Sequence, residues 1–270
     1  MRLSTVHHVA VHVFKESVRD KVLYNLVLFA ALLMAASILI GQLTAGQDVK
    51  IIKDLGLSAI SVFGLFIAIF IGIGLVSKEV ERRSVYSLLA KPISRPQFIL
   101  GKYAGLVLTL AVNVAVMTLA LYVVLTYMNY TAPPELRAAW DAPGIDPRLL
   151  EAVALIFVQL MIITAIALFF STFSTPLLAA ALTFGLFIVG HFNADLKNFD
   201  RIMDSRPAIW LARGVYHLVP DFSAFDIKTQ VVHGLPVGAG YIAATAGYGL
   251  AYIAALLVVS VVIFSRRDFK

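Results

Sequence analysis

The sequence predicts an all-α membrane protein. It has six transmembrane helices, an N-terminal amphipathic interfacial helix, a cytoplasmic helix between spans two and three, and an extracytoplasmic segment between spans five and six. Three observations carry this. First, 60 % of the 270 residues are hydrophobic and 14 % are charged, with mean hydropathy +0.88; soluble domains run at about 25 % charged. Second, five stretches contain no Asp, Glu, Lys or Arg: 22–47, 55–77, 103–134, 152–194 and 229–265. Each reaches the roughly 20 apolar residues that a spanning helix needs. Third, the fourth stretch has 43 residues. As one helix it would reach about 65 Å, twice the hydrocarbon thickness, so it must turn back.

The turn falls at Ser171-Thr-Phe-Ser-Thr-Pro176. Thr175 suits the cap of a new helix and Pro176 its first position, where a missing N–H costs nothing. The spans then lie at about 22–41, 55–77, 97–127, 149–171, 176–192 and 238–264 of a single transmembrane domain, 1–270. Ser94-Arg-Pro-Gln97 reads as a capping box opening span three. Asp146-Pro147 reads as cap and first-turn proline for span four. Gly41 suits the end of span one.

Before span one, Val6, Val9, Ala10, Val13, Phe14 and Val18 share a helical stripe, with His8, His12, Lys15, Glu16 and Arg19 opposite. Residues 4–20 thus read as a helix lying in the membrane interface. His8 and His12 share a face, but a polar interfacial face accounts for them and no cysteine stands near, so the expectation is no metal. The 1–45 region is not expected to be a signal peptide, because its apolar run is too long.

Six spans put both termini on one side. That side carries 13 cations against five acids, while the other carries nine cations against 11 acids. The positive-inside rule makes the richer side cytoplasmic. The formal charge of +6 is thereby explained by topology, and no nucleic-acid partner is expected.

The link after span two, Ser77-Lys-Glu79-Val-Glu81-Arg82-Arg83-Ser-Val85-Tyr-Ser-Leu88-Leu89-Ala-Lys-Pro92, reads as a short helix over 78–92. Its charges lie to one side and its apolar knob, Val85, Leu88 and Leu89, to the other. Such a helix lies on the membrane or docks in a partner's groove. Residues 128–148 are turn-rich, with Pro133-Pro134, Pro143-Gly144 and Asp146-Pro147. Residues 193–237 carry five cations and five acids, and 207–218 can form a helix ended by Pro220. At 45 residues the segment is too long for a simple connector and suggests a packed cap or gate.

Chemistry is sparse. No G-x-x-x-x-G-K-[ST], H-E-x-x-H or G-x-S-x-G motif occurs. Cysteine is absent, so there is no disulfide or thiolate site. These absences and the composition argue against a soluble enzyme and an intramembrane protease. An ion-driven carrier wants ionisable groups inside its bundle. The polar residues within these spans are mainly Asn25, Asn113, Gln159 and hydroxyls. Asn113 and Gln159 fit cross-helix hydrogen bonds better than substrate contact, yet these three are the candidates for a substrate path.

The whole pattern resembles the ABC-2 type permeases, the membrane subunits of ATP-binding-cassette exporters with the type V fold. The specific match runs from Gly74 to Lys102: Glu79, Glu81, Leu88, Leu89, Pro92, Ser94, Arg95, Gly101 and Lys102 follow the family pattern, while its frequent Gly-Thr is Arg83-Ser84 here. Within the family, the single-domain form is similar to permeases grouped with the copper-enzyme (nitrous oxide reductase) maturation transporter. With no Cys and six Met, direct copper transport is not expected.

The resemblance implies a bacterial or archaeal cytoplasmic membrane, a second permease copy (homodimer or heterodimer), and no catalysis or cofactor in this chain. ATP and Mg would belong to a separate ATPase subunit. The 78–92 helix would be the coupling helix, with Val85, Leu88 and Leu89 as anchor and Glu79, Glu81, Arg82 and Arg83 as rim. Spans one, two and five would line the route at the dimer interface. The alternatives are a membrane scaffold working with an ATPase without moving solute, or an ion-coupled carrier, which lacks its expected repeat and charges.

Overall fold

The computed structural model describes residues 3–19, 21–41, 48–81, 94–138, 140, 142–193 and 206–266. Among the described residues the chain is helical and without strands. In chain order the helices are α1 (Leu3–Val18), α2 (Lys21–Gly41), α3 (Asp48–Glu81), α4 (Arg95–Thr131), α5 (Pro134–Ala138), α6 (Leu149–Ser171), α7 (Pro176–His191), α8 (Arg206–Leu218), α9 (Lys228–Val232) and α10 (Ala239–Arg266). Four contain apolar stretches long enough to cross a bilayer: Asp48–Ile73, Arg95–Thr131, Leu149–Ser171 and Ala239–Arg266. Leu26–Leu39 and Pro176–His191 are shorter apolar helices.

The centre is the α3–α6 pair, with α2 and α4 on α3 and α10 on α6. Glycine decides this close approach. A Cβ at Gly64 would lie 2.4 Å from Leu160 Cδ1, and one at Gly72 would lie 2.6 Å from Ala167 Cβ. Lipid tails are as apolar as leucine, so helices in a membrane gain by tight packing of small residues rather than by burial alone. The pairings Gly64–Leu160 and Gly72–Ala167 also show that α3 and α6 run in the same direction. Gly56 meets Leu121, near the end of α4, so α4 runs the opposite way.

One end of the body, called the base here, gathers α1, the start of α4 and the end of α10. There Phe98 stacks on Phe264 at 5.7 Å, and α1 lies across α4. Val13 is buried there, while His8, His12, Lys15, Glu16 and Arg19 are exposed. The stripe of α1 therefore covers a helix.

Helix boundaries follow local chemistry; α3 already starts at Asp48, seven residues before the 55 read from sequence, and two further differences concern a cap and a helix end. At the 171–176 turn, α7 starts at Pro176 with Thr175 in extended backbone, but the Thr175 side chain makes no cap bond. Ser171, Thr172 and Ser174 instead donate back to the carbonyls of Leu168, Phe169 and Phe170. In an apolar medium a hydroxyl is satisfied most cheaply by the nearest backbone carbonyl. The second difference is a correction. Span two does not stop at Ser77, with a new helix at 78; α3 continues unbroken through Glu81. Lys78-Glu79-Val-Glu81 holds no Gly or Pro breaker, and Lys and Glu are good helix formers. At the start of α4, the Ser94 N–H donates to Gln97 Oε1 at 3.1 Å, the return arm of a capping box.

α7 is short. Its 16 residues reach about 24 Å, less than the hydrocarbon core. Its last residue, His191, meets Gln159, ten residues beyond the start of α6. The depth that α7 leaves open is filled by the chain after α8. The Phe222 N–H donates to the Gly190 carbonyl at 3.0 Å, and Phe222 and Phe225 are fully buried. A Cβ at Gly190 would lie 2.5 Å from Phe222, so only glycine admits that ring.

Candidate functional site

The base is built from α4 outwards. Gly101 and Gly105 lie one helical turn apart on one face. A Cβ at Gly105 would sit 2.6 Å from the Ala10 carbonyl oxygen, and one at Gly101 would sit 2.7 Å from Val9 Cβ. α1 is thereby seated backbone to backbone on α4. On another side of α4, the Arg95 guanidinium donates to the carbonyls of Phe264 (3.3 Å) and Ser265, among the last of α10. Helix C-termini leave carbonyls unsatisfied and carry partial negative charge, so a cation there is doubly suited. Lys102 is buried, with Nζ 4.8 Å from the centre of the Phe98 ring, a cation–π contact.

The sequence-predicted coupling residues close α3 or lie beyond the described residues. Glu79 and Glu81 belong to the last turn of α3. Arg82, Arg83, Val85, Leu88 and Leu89 lie outside the described residues.

The three polar candidates of the bundle do not form one cluster. Asn25 lies on α2, and its side chain is outside the description. Asn113 does not bridge helices: its Nδ2 donates to Thr109 O of its own helix at 2.7 Å. Gln159 is buried and does bridge, with Nε2 3.4 Å from His191 Nε2. His191 Nδ1 lies 3.1 Å from Phe187 O, and its ring packs 4.3 Å from Phe187 and 5.8 Å from Phe222. This joins α6, α7 and the segment after α8. Between α4 and α6, a groove of about 650 Å³ is lined by Ala111, Ala115, Thr118, Tyr122, Val153 and Phe157, among others. Its two hydroxyls are already used, Thr118 on Val114 O and Tyr122 on Asp146 O.

The end opposite the base holds Asp146, which the sequence marks as a cap, and long-range polar contacts that pattern reading did not find. Lys53 is buried and donates to Pro143 O at 2.7 Å. Asp146, also buried, accepts the Arg148 N–H on Oδ1 (3.0 Å). The Arg148 side chain reaches Gly234 O at 2.7 Å. Gly234 has φ +70°, a conformation that glycine adopts without strain. These bonds knot the 142–148 loop to the start of α3 and to the turn after α9. Along α10, Tyr241 donates to Ala224 O (2.7 Å), Tyr248 accepts the Asp221 N–H (3.1 Å), and Tyr252 donates to Leu218 O (2.7 Å). The spacing 241, 248, 252 marks one helical face, a signal legible in the sequence but easily read as membrane-interface aromatics. Among the described residues, no three His, Asp or Glu side chains converge as a metal site.

A family model described as ABC-2 family transporter protein matches residues 8–269. The chain belongs to that family. A search of curated proteins gives no significant match. As an ABC-2 transporter protein it is a multi-pass membrane permease component, and the match takes in α1, the base and the segment after α7 alike.

Proposed function

We propose that this ABC-2 protein is the permease subunit of an ATP-binding-cassette exporter, driven by a separate ATPase docked on residues 78–92. ATP and Mg would act in that partner, since this chain carries no phosphate-binding loop of its own. Two permease copies would form the transporter, with six spans each and both termini cytoplasmic. The base is then the cytoplasmic end, and the 193–237 segment lies outside.

The observation that supports this best is the gathering of α1, the start of α4 and the end of α10 at one end of the body. Residues 82–93 join α3 to α4, and Arg95 and Gly101 tie the start of α4 to the other elements there. A partner pressing on 82–93 would act on a rigid assembly rather than on a loose loop, as coupling by rigid-body motion requires. Cations concentrate in the same segments, 13 against five acids, as a cytoplasmic face does.

The test is purification of the solubilised protein from its native host with mass spectrometry of what remains bound. A stoichiometric ABC ATPase is expected. Its absence after mild cross-linking in two detergents would defeat the reading.

A further inference from the structure

The geometry points to Arg95 as a positioning residue that links the ATPase-facing base to the outer segment through α10; this rests on the permease reading above. Arg95 follows directly from the 82–93 connection and opens α4, yet its guanidinium holds the Phe264 and Ser265 carbonyls of α10. Phe98 stacks on Phe264 one turn further along, with planes 18° apart, so the contact is a packed joint and not a lone hydrogen bond. α10 then runs 28 residues, about 42 Å, without a proline. At its other half, Tyr252, Tyr248 and Tyr241 each bond the backbone of the segment at Leu218, Asp221 and Ala224. These hydroxyls grip main chain rather than side chain. Gly249, on the same helix, admits Val158 and Phe225 so closely that a Cβ there would lie 2.6 Å from Val158 Cγ1.

A push on the 82–93 connection is therefore delivered to two helices at once. Through the covalent chain it reaches α4. Through Arg95 it reaches α10, which bonds the outer segment. Phe222 and Phe225 are buried in the body and the Phe222 N–H also bonds Gly190 of α7, so the segment is held between α7 and α10 and is not a free flap. Contiguity alone does not establish coupling; two variants along the line that lose the same response do.

The chain has no cysteine, so a single thiol reports on the outer segment. Ser223 is exposed, and Ser223→Cys changes one atom there. In the permease–ATPase complex reconstituted in lipid, ATP with vanadate should change the labelling rate of that thiol by a water-soluble maleimide at least fivefold. Arg95→Gln should reduce the change below twofold, Arg95→Lys should restore most of it, and Tyr252→Phe should reduce it like Arg95→Gln. The double variant should lose no more than either single one. Tyr252→Phe removes one hydroxyl and keeps the ring, so it carries the test if Arg95→Gln does not fold. An ATPase-bound complex whose thiol ignores nucleotide overturns the relay, as do a full response in Arg95→Gln or Tyr252→Phe and losses that multiply in the double variant. An unaltered preparation with no ATPase defeats the permease reading itself.

Discussion

Gly105 is the residue on which the seat of α1 depends most directly. Its missing side chain lets the Ala10 carbonyl come within 2.6 Å of where a Cβ would be. Backbone cannot yield as a side-chain tip does, so Gly105→Val should cost about 1–3 kcal/mol, the usual range for overpacking. A thermal melt in detergent reads this, and proteolysis at Lys15 and Arg19 should accelerate as α1 lifts. Lys53 is a second such residue. It is 1 % exposed and donates to Pro143 O. Lys53→Met keeps the length of the side chain but leaves that carbonyl without its donor and Asp146 without a neighbouring cation. The expected loss is about 1–3 kcal/mol, seen as a lower melting temperature with unchanged membrane insertion. Asn113 stands in contrast. Its amide is satisfied by the helix that bears it, and Asn113→Ala should change stability by less than about 0.5 kcal/mol.

Among the elements, α7 and the segment that completes it behave as one unit. α7 stops about 15 Å short of the level where α6 begins. Phe222 and Phe225 occupy the remaining depth. Gly190→Leu would close the space that Phe222 needs. The backbone bond from Phe222 to Gly190 should then open, and amide exchange over 219–227 should quicken at least tenfold, while exchange in α6 is unchanged. Much of α7 was legible in sequence: a 43-residue apolar run cannot be one helix, and Pro176 marks the restart. That its C-terminal end would be finished by residues about thirty positions later was not legible, because the contact is long-range and Gly190 and Phe222 carry no shared pattern. The end of α3 shows the reverse fault. Charge suggested a boundary at Ser77, but a membrane boundary is not a helix boundary, and helix propensity carried α3 to Glu81.

At the scale of the whole molecule, topology and partnership are the open tests. Single thiols at Arg266 and Lys228, each introduced as Arg266→Cys or Lys228→Cys, should label differently in intact cells: an impermeant maleimide reaches position 228 and not position 266. Labelling of both, or of 266 alone, would reverse the orientation proposed here. Leu88→Asp should reduce the ATPase that co-purifies at least tenfold and leave the amount of permease in the membrane unchanged, since one buried carboxylate in an apolar docking groove costs several kcal/mol.

Some properties of this chain need no tertiary structure. Hydropathy makes it a helical membrane protein, because a bilayer leaves every backbone group to be satisfied within its own segment. Cation placement suggests its orientation, and the motif from Glu79 to Lys102 already resembles the permease pattern. These are local or additive properties, and a linear chain displays them in full. The fold alone decided which small residues are contacts: Gly64 and Gly72 on α6, Gly101 and Gly105 on α1, and Gly190 under Phe222. It also decided that Arg95 binds α10, that Gln159 meets His191, and that three tyrosines hold the segment at 218–224. Each of these joins residues far apart in sequence, and a close approach between two helices depends on the shape of both.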